Sequence, residues 1–265
     1  MCQMSIMPLR FSFILFTACL VATLVTLGTA NTKHPDQLPV AWGAPMQGAT
    51  PHYERIDVPA ANDRSAFTYF LLPPQNPSME QSYPLVVLLH GTSRHMHGGR
   101  YYIDNDIIKR HPAYVLVPIA PPGMDWGSPE GQQNSAASMV RHAIELVRSQ
   151  HRIDPARIYV SGYSMGGVGA FSLVLQYPDL FAAALVLCGQ WDAAQASLFP
   201  DDLPIYALRG AEDHLLNAEP MIRALQLAGK PASYREYPGV GHNIWDYGYT
   251  DPAIWDWLFS QHKQR

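Results

Sequence analysis

Ser164, Asp213 and His242 are far apart in the chain, but together they have the residue types that turn a hydroxyl into a nucleophile. Ser164 stands in Gly162-Tyr163-Ser164-Met165-Gly166, directly after the apolar run Ile158-Tyr159-Val160 and before a helix-competent segment. A strand, a sharp turn and a helix in that order would lift the Ser164 hydroxyl clear of the backbone. Gly162 and Gly166 leave room for the turn, because a Cβ at either place would crowd the neighbouring chain. A serine hydroxyl needs a base to take its proton. An imidazole does this near neutrality, and a carboxylate holds the imidazole in the right tautomer. His242 lies in Gly239-Val240-Gly241-His242-Asn243, a Gly-rich loop late in the chain, and Asp213 follows Gly210-Ala211-Glu212. Glu212 is the neighbouring alternative; the shorter Asp213 side chain is the one held more firmly.

Acyl transfer also needs donors for a developing oxyanion. The amide of Met165 follows the nucleophile at the start of a helix, where unpaired N–H groups and the dipole favour negative charge. The second donor is assigned to the amide of Thr92, in His90-Gly91-Thr92 after an early apolar run; Gly91 allows close approach, and His90 braces the loop. Of the other histidines, His34, His52, His111, His142, His151, His214 and His262 fall in linkers, on helices or at the terminus and read as surface residues. His95-x-His97 has half of a metal-binding pattern and no further ligands at a suitable spacing, so no metal site is assigned. Cys188 ends an apolar run and reads as a small buried hydrophobe. Trp126, Trp191, Trp245 and Tyr247 fall in loops, where they either rim the site or merely pack the loops; the three tryptophans are assigned as substrate contacts.

The elements that must position these groups alternate. Strands are expected over residues 53–58, 66–72, 85–89, 114–118, 157–161, 182–187, 205–209 and 233–236. Residues 85–89 are apolar without alternation, as in a strand buried on both faces of a parallel sheet. Helices are expected over 103–110, 135–150 with Ser135 as N-cap, 166–177, 218–228 and 251–261, while residues 93–102 read as loop. Strands alternating with helices imply a mostly parallel, doubly wound α/β sheet. Ligands gather at the carboxyl ends of its strands, and Ser164, Asp213 and His242 each follow a strand.

Leu88-Leu89-His90-Gly91, the stretch from Asp154 to Gly167, and Gly241-His242 resemble the α/β-hydrolase superfamily. Within it they are similar to secreted carboxylesterases related to feruloyl esterases and polyhydroxyalkanoate depolymerases. That branch includes predicted peptidases related to prolyl oligopeptidase, and His242-x-x-Trp245 followed by Ile254-Trp255-Asp256-Trp257-Leu258 is similar to their ending. The Gly210-x-x-Asp213 spacing resembles the acid loop of the family. Thr92-Ser93-Arg94-His95-Met96-His97 departs from the family's pattern. The resemblance implies an α/β-hydrolase fold and ester hydrolysis through an acyl-enzyme, with neither metal nor organic cofactor, and the chain is expected to leave no room for a large lid domain. It leaves open a serine peptidase acting on short peptides and a non-catalytic binding protein on the same fold.

The 265 residues suit one large α/β domain, assigned to 53–265, after a linker or surface wrap at 31–52. Net charge is −4 without a basic run, which argues against a nucleic-acid partner. Arg10, an uncharged stretch from Phe11 to Ala30 and the closing Gly28-Thr29-Ala30 describe a secretory signal peptide at 1–30, cut after Ala30. The same stretch is long enough to be an uncleaved membrane anchor. The expected location is therefore secreted or periplasmic. Cys188 is the one cysteine beyond the leader, so no intrachain disulfide can form there.

Overall fold

The computed structural model describes residues 52–263 except 62–64, 105 and 132. The signal-peptide, anchor and linker assignments at residues 1–51 lie outside the described residues. A short antiparallel entry, β1 (Glu54–Val58) and β2 (Phe67–Leu72), leads into a sheet of eight strands. β3 (Tyr83–Leu89), β4 (Tyr114–Ile119), β5 (Ile153–Tyr163), β6 (Ala183–Leu187), β7 (Ile205–Gly210) and β8 (Ala232–Tyr237) follow. Their spatial order is β1-β2-β4-β3-β5-β6-β7-β8. β2 joins β4 antiparallel, and every pairing from β4 onward through β3 to β8 is parallel. All seven residues of β3 are buried, which is why its sequence lacks a polar alternation.

Side chains alternate across a strand, so each strand serves two cores. Leu85, Val87 and Leu89 of β3 join one cluster with Val160, Val186 and Ala207. That cluster is closed by α3 (Ala137–Gln150), α4 (Met165–Gln176) and α5 (Glu219–Leu227). Tyr159, next to Val160, points the other way and meets Phe259 of α7 (Pro252–Ser260) edge-on. Tyr102 of α1 (His97–Asp104) packs on Trp255 of α7 on that same face. Burying one Leu, Ile or Val side chain in such layers stabilises by about 1.5–3 kcal/mol. Two short helices, α2 (Ile107–Arg110) and α6 (Trp245–Gly248), complete the set with a 3₁₀ turn at Ala193–Leu198.

Local chemistry sets the helix starts. Asp251 caps α7, accepting the Ala253 amide at 2.9 Å ahead of Pro252, whereas the N-cap of α3 is Ala136 and not the expected Ser135, whose hydroxyl accepts the Ala137 amide at 3.1 Å from one residue further out. The expected helix at 103–110 is different in the structure: α1 begins at His97, and a separate turn, α2, follows. Gly98 and Gly99 read as loop by propensity. Tertiary packing overrides that preference, since a Cβ on Gly99 would lie 2.7 Å from the Tyr53 hydroxyl and one on Gly98 3.0 Å from the Tyr249 ring. The bare backbone lets the helix seat against both tyrosines. Among the described residues no helix is long and apolar enough to cross a membrane.

Candidate active site

Ser164 has φ 55° and ψ −121°, a conformation that costs a non-glycine residue of order 1–3 kcal/mol. Its surroundings enforce it. The Ser164 amide donates to the Leu187 carbonyl at 3.0 Å and to Cys188 Sγ at 3.3 Å, and its carbonyl accepts the Val168 amide at 3.0 Å. A Cβ on Gly162 would lie 2.2 Å from the Gly166 carbonyl, and one on Gly166 2.2 Å from that of Leu89. The turn and β3 therefore pass at a separation only glycine permits. α4 begins one residue later, and the Met165 amide lies in the first turn, where helix geometry supplies no acceptor.

β7 and β8 deliver the other two groups. Asp213 is buried and Glu212 is exposed. Asp213 Oδ1 accepts the Leu215 amide at 2.8 Å, and the Arg209 guanidinium donates to the Asp213 carbonyl at 2.6 Å. Asp213 Oδ2 is left to face His242 Nδ1 at 2.8 Å. His242 Nε2 is 2.9 Å from Ser164 Oγ. With its Nδ1–H donated to the carboxylate, His242 presents Nε2 as acceptor to the serine hydroxyl. The structure thus brings together the three groups singled out from the sequence and turns Glu212 outward.

Gly91 and Thr92 follow β3. Thr92 is exposed in a turn that the Arg94 amide closes on the Gly91 carbonyl at 3.0 Å. His90 braces the end of the strand. Its Nε2 accepts the Ala120 amide at 3.1 Å, and its Nδ1–H donates to the Gly91 carbonyl at 2.7 Å. Burial lowers the His90 pKa to about 4, with nearby Arg94 adding to the effect and the Gly91 bond opposing it. His90 is therefore neutral and already engaged at both nitrogens.

Two of the three tryptophans expected on the rim are not there. Trp126 is buried, its indole N–H donating to the His90 carbonyl at 3.0 Å and its ring filling the space above Gly169. Trp191 is buried against Phe171 and Phe199 and bonds Gln195. A loop position did not make these residues accessible, because each ring finds apolar neighbours large enough to cover it. Trp245 is half-buried beside the catalytic-type groups, edge-on to His242 at 5.6 Å, stacked on His97 at 5.5 Å and 4.8 Å from the Tyr163 ring. Tyr247 is exposed and leans on Tyr237.

Sequence reasoning missed the contact of Cys188 with the elbow. Cys188 is buried with φ 39°, and burial pushes its thiol well above the usual range, with Asp213 adding to the rise. It is an acceptor for Ser164 and no nucleophile. Its position at the end of β6, level with Ser164 at the end of β5, was the available signal. Cys188 Sγ, an Asp213 oxygen and a His242 nitrogen lie within 4.8 Å of one another. A cation held there would have to break the Asp213–His242 bond, so the donor set fits a proton relay better than a metal.

The parallel sheet, the strained serine at a strand-to-helix turn and the bonded Asp–His–Ser series define an α/β-hydrolase. The chain belongs to the family described as "Putative esterase", whose model matches residues 60–261. It is 26% identical to a thermostable esterase of known structure, with a TM-score of 0.74, covering 80% of this chain and 63% of that one. Carboxylesterase SOBER1 of Arabidopsis thaliana is 29% identical over 118 residues, 38% of this chain and 52% of the relative. Poly(3-hydroxyalkanoate) depolymerase C of Paucimonas lemoignei is 29% identical over 121 residues, 42% of this chain and 29% of the relative. The chain therefore spans about half, or less, of the length of these curated relatives.

Proposed function

We propose that this protein hydrolyses carboxylic esters through an acyl-enzyme on Ser164. The observation that carries the reading is the unbroken hydrogen-bond series from Asp213 Oδ2 through His242 to Ser164 Oγ, at 2.8 and 2.9 Å. Ser164 Oγ attacks the ester carbonyl while His242 Nε2 takes its proton. The tetrahedral oxyanion is held by the amides of Met165 and Thr92. His242 then gives the proton to the departing alcohol. Water attacks the acyl-enzyme with His242 again as base, releasing the acid and restoring Ser164. Asp213 holds the Nδ1–H tautomer and steadies the imidazolium. The half-buried Trp245 forms part of the substrate wall. Family membership and the esterases among its relatives support the reaction class. Small esters and esters linked to a polymer both suit a site that no large lid covers among the described residues, and a leader at residues 1–30 would place that chemistry outside the cytosol.

A fluorophosphonate probe tests the reading. Wild-type protein should label at Ser164, and Ser164→Ala should abolish labelling and lower turnover by several orders of magnitude. Persistent labelling of a folded Ser164→Ala variant would sink it. A series of p-nitrophenyl esters run beside aminoacyl-anilides separates esterase from peptidase action.

A further inference from the structure

Tyr163 immediately precedes the nucleophile, yet its side chain is buried and spans to other loops. Its hydroxyl donates to the His95 carbonyl at 2.8 Å, across the site from its own strand. Its ring presses on Gly91 so closely that a Cβ there would lie 2.7 Å from Tyr163 Cε2. The other flank of the ring meets His97 at 5.2 Å and Trp245 at 4.8 Å. One phenol therefore touches the segments that carry the nucleophile, the assigned oxyanion donor and the base.

The segment from Gly91 to His95 needs such an anchor. Its near end is held by the Arg94–Gly91 turn and by the Arg94 guanidinium on the carbonyls of Ala120 and Pro121. Thr92, Ser93 and His95 themselves are exposed. An amide donor acts on an oxyanion only when aimed at where that oxygen will be, and a displacement of about 1 Å can cost about 10²-fold in rate.

We propose that Tyr163 is a positioning residue that ties the loop carrying the Thr92 amide to the nucleophile turn, through its bond to the His95 carbonyl. The proposal rests on the esterase reading. Burial raises the phenol above its ordinary range, so it stays a donor throughout neutral pH. Because the tie acts on the oxyanion donor, its loss falls on the transition state and leaves substrate binding and the His242 base alone.

The test compares wild type with Tyr163→Phe, which keeps the ring and deletes one oxygen. Losing one such bond is expected to lower kcat about five- to tenfold, with KM and the acidic limb of the pH–rate profile unchanged. A trifluoromethyl ketone, whose hemiketal oxyanion uses the same donors, should lose affinity by the same factor as kcat/KM. Hydrogen exchange over residues 92–97 should quicken while β5 and β6 stay protected. Unchanged kcat and ketone affinity would overturn the proposal, as would unchanged exchange over residues 92–97. A loss confined to KM, which marks a substrate contact, or a moved acidic limb, which marks an effect through His242, would overturn it too. If wild-type protein does not label at Ser164, the esterase reading itself fails. If it labels and the Phe variant behaves as wild type, only the role of Tyr163 fails.

Discussion

A Cβ on Gly210 would lie 2.2 Å from the carbonyl oxygen of Gly241, and as near to that of Val240. The loop carrying His242 crosses the end of β7 with no space for a side chain. Two backbone bonds lock the crossing: the Ala211 amide on the Tyr237 carbonyl and the Glu212 amide on the Val240 carbonyl, both at 2.9 Å. Asp213 and His242 meet because these loops touch backbone to backbone. Gly210→Ala should push them apart and lower kcat/KM by about 10²-fold, with secondary structure retained by circular dichroism. Wild-type kinetics in that variant would show that the contact does not constrain the site.

The carboxylates at 212 and 213 have opposite surroundings. Asp213→Asn should leave the fold intact and lower turnover by about 10⁴-fold, because an amide can hold the wrong tautomer of His242. Glu212→Gln removes an exposed charge and should cost less than about tenfold. Steady-state kinetics on both variants decide it; the reverse ranking would make Glu212 the acid.

His90 makes stability sensitive to pH. Its folded pKa, about 4, lies below the unfolded value of 6.5, so between these values the unfolded chain binds the extra proton. Stability should therefore fall as pH drops from about 6.5 to 4, by about 1.4 kcal/mol per unit from this group. For Asp154 burial raises the carboxyl, but the hydrogen bonds from Arg157 and the Ala156 amide together outweigh it and hold the group below 3.8, so its contribution is lost only below that range. Denaturant melts at pH 7, 5.5 and 4.5 check the window. A His90→Gln variant with the same slope as wild type would rule out His90 as its source.

Trp126 and Trp245 should respond differently to substitution. Trp126→Phe loses the bond to the His90 carbonyl and should cost about 1 kcal/mol of stability, with relative rates across an ester series preserved. Trp245→Ala should change those relative rates, since its ring lies beside His242. Thermal melts and kcat/KM ratios over the series tell the two apart; a changed series for Trp126→Phe would put that ring back on the substrate path.

The leader reading has a direct check. Protein recovered from the exporting host should begin at Asn31 by N-terminal sequencing. Membrane-bound protein beginning at Met1 would identify the segment as an anchor.

The strands and the strand-to-helix turn were legible because their causes are local. A run such as Leu85-Val86-Val87-Leu88-Leu89 is stable only with both faces covered, and Gly162 and Gly166 flank Ser164 at the spacing that a strand-to-helix nucleophile turn needs. The start of α1 was not legible. Gly98 and Gly99 are poor helix formers, and only the tyrosines behind them reveal why they are tolerated. The need for Gly210 was not legible either, since it comes from the carbonyls of Val240 and Gly241 in a loop some thirty residues further on.

By itself the sequence determined the residue types, their order and the strand ends they follow, which was enough to nominate Ser164, Asp213 and His242. Tertiary structure alone decided that Asp213 faces inward and Glu212 outward, that Trp126 and Trp191 are core while Trp245 borders the site, that Cys188 accepts the Ser164 amide and that the Tyr163 hydroxyl reaches the His95 carbonyl. These outcomes depend on which distant segment covers each side chain. Burial and close approach are properties of pairs of segments, and no single stretch of chain records its partner.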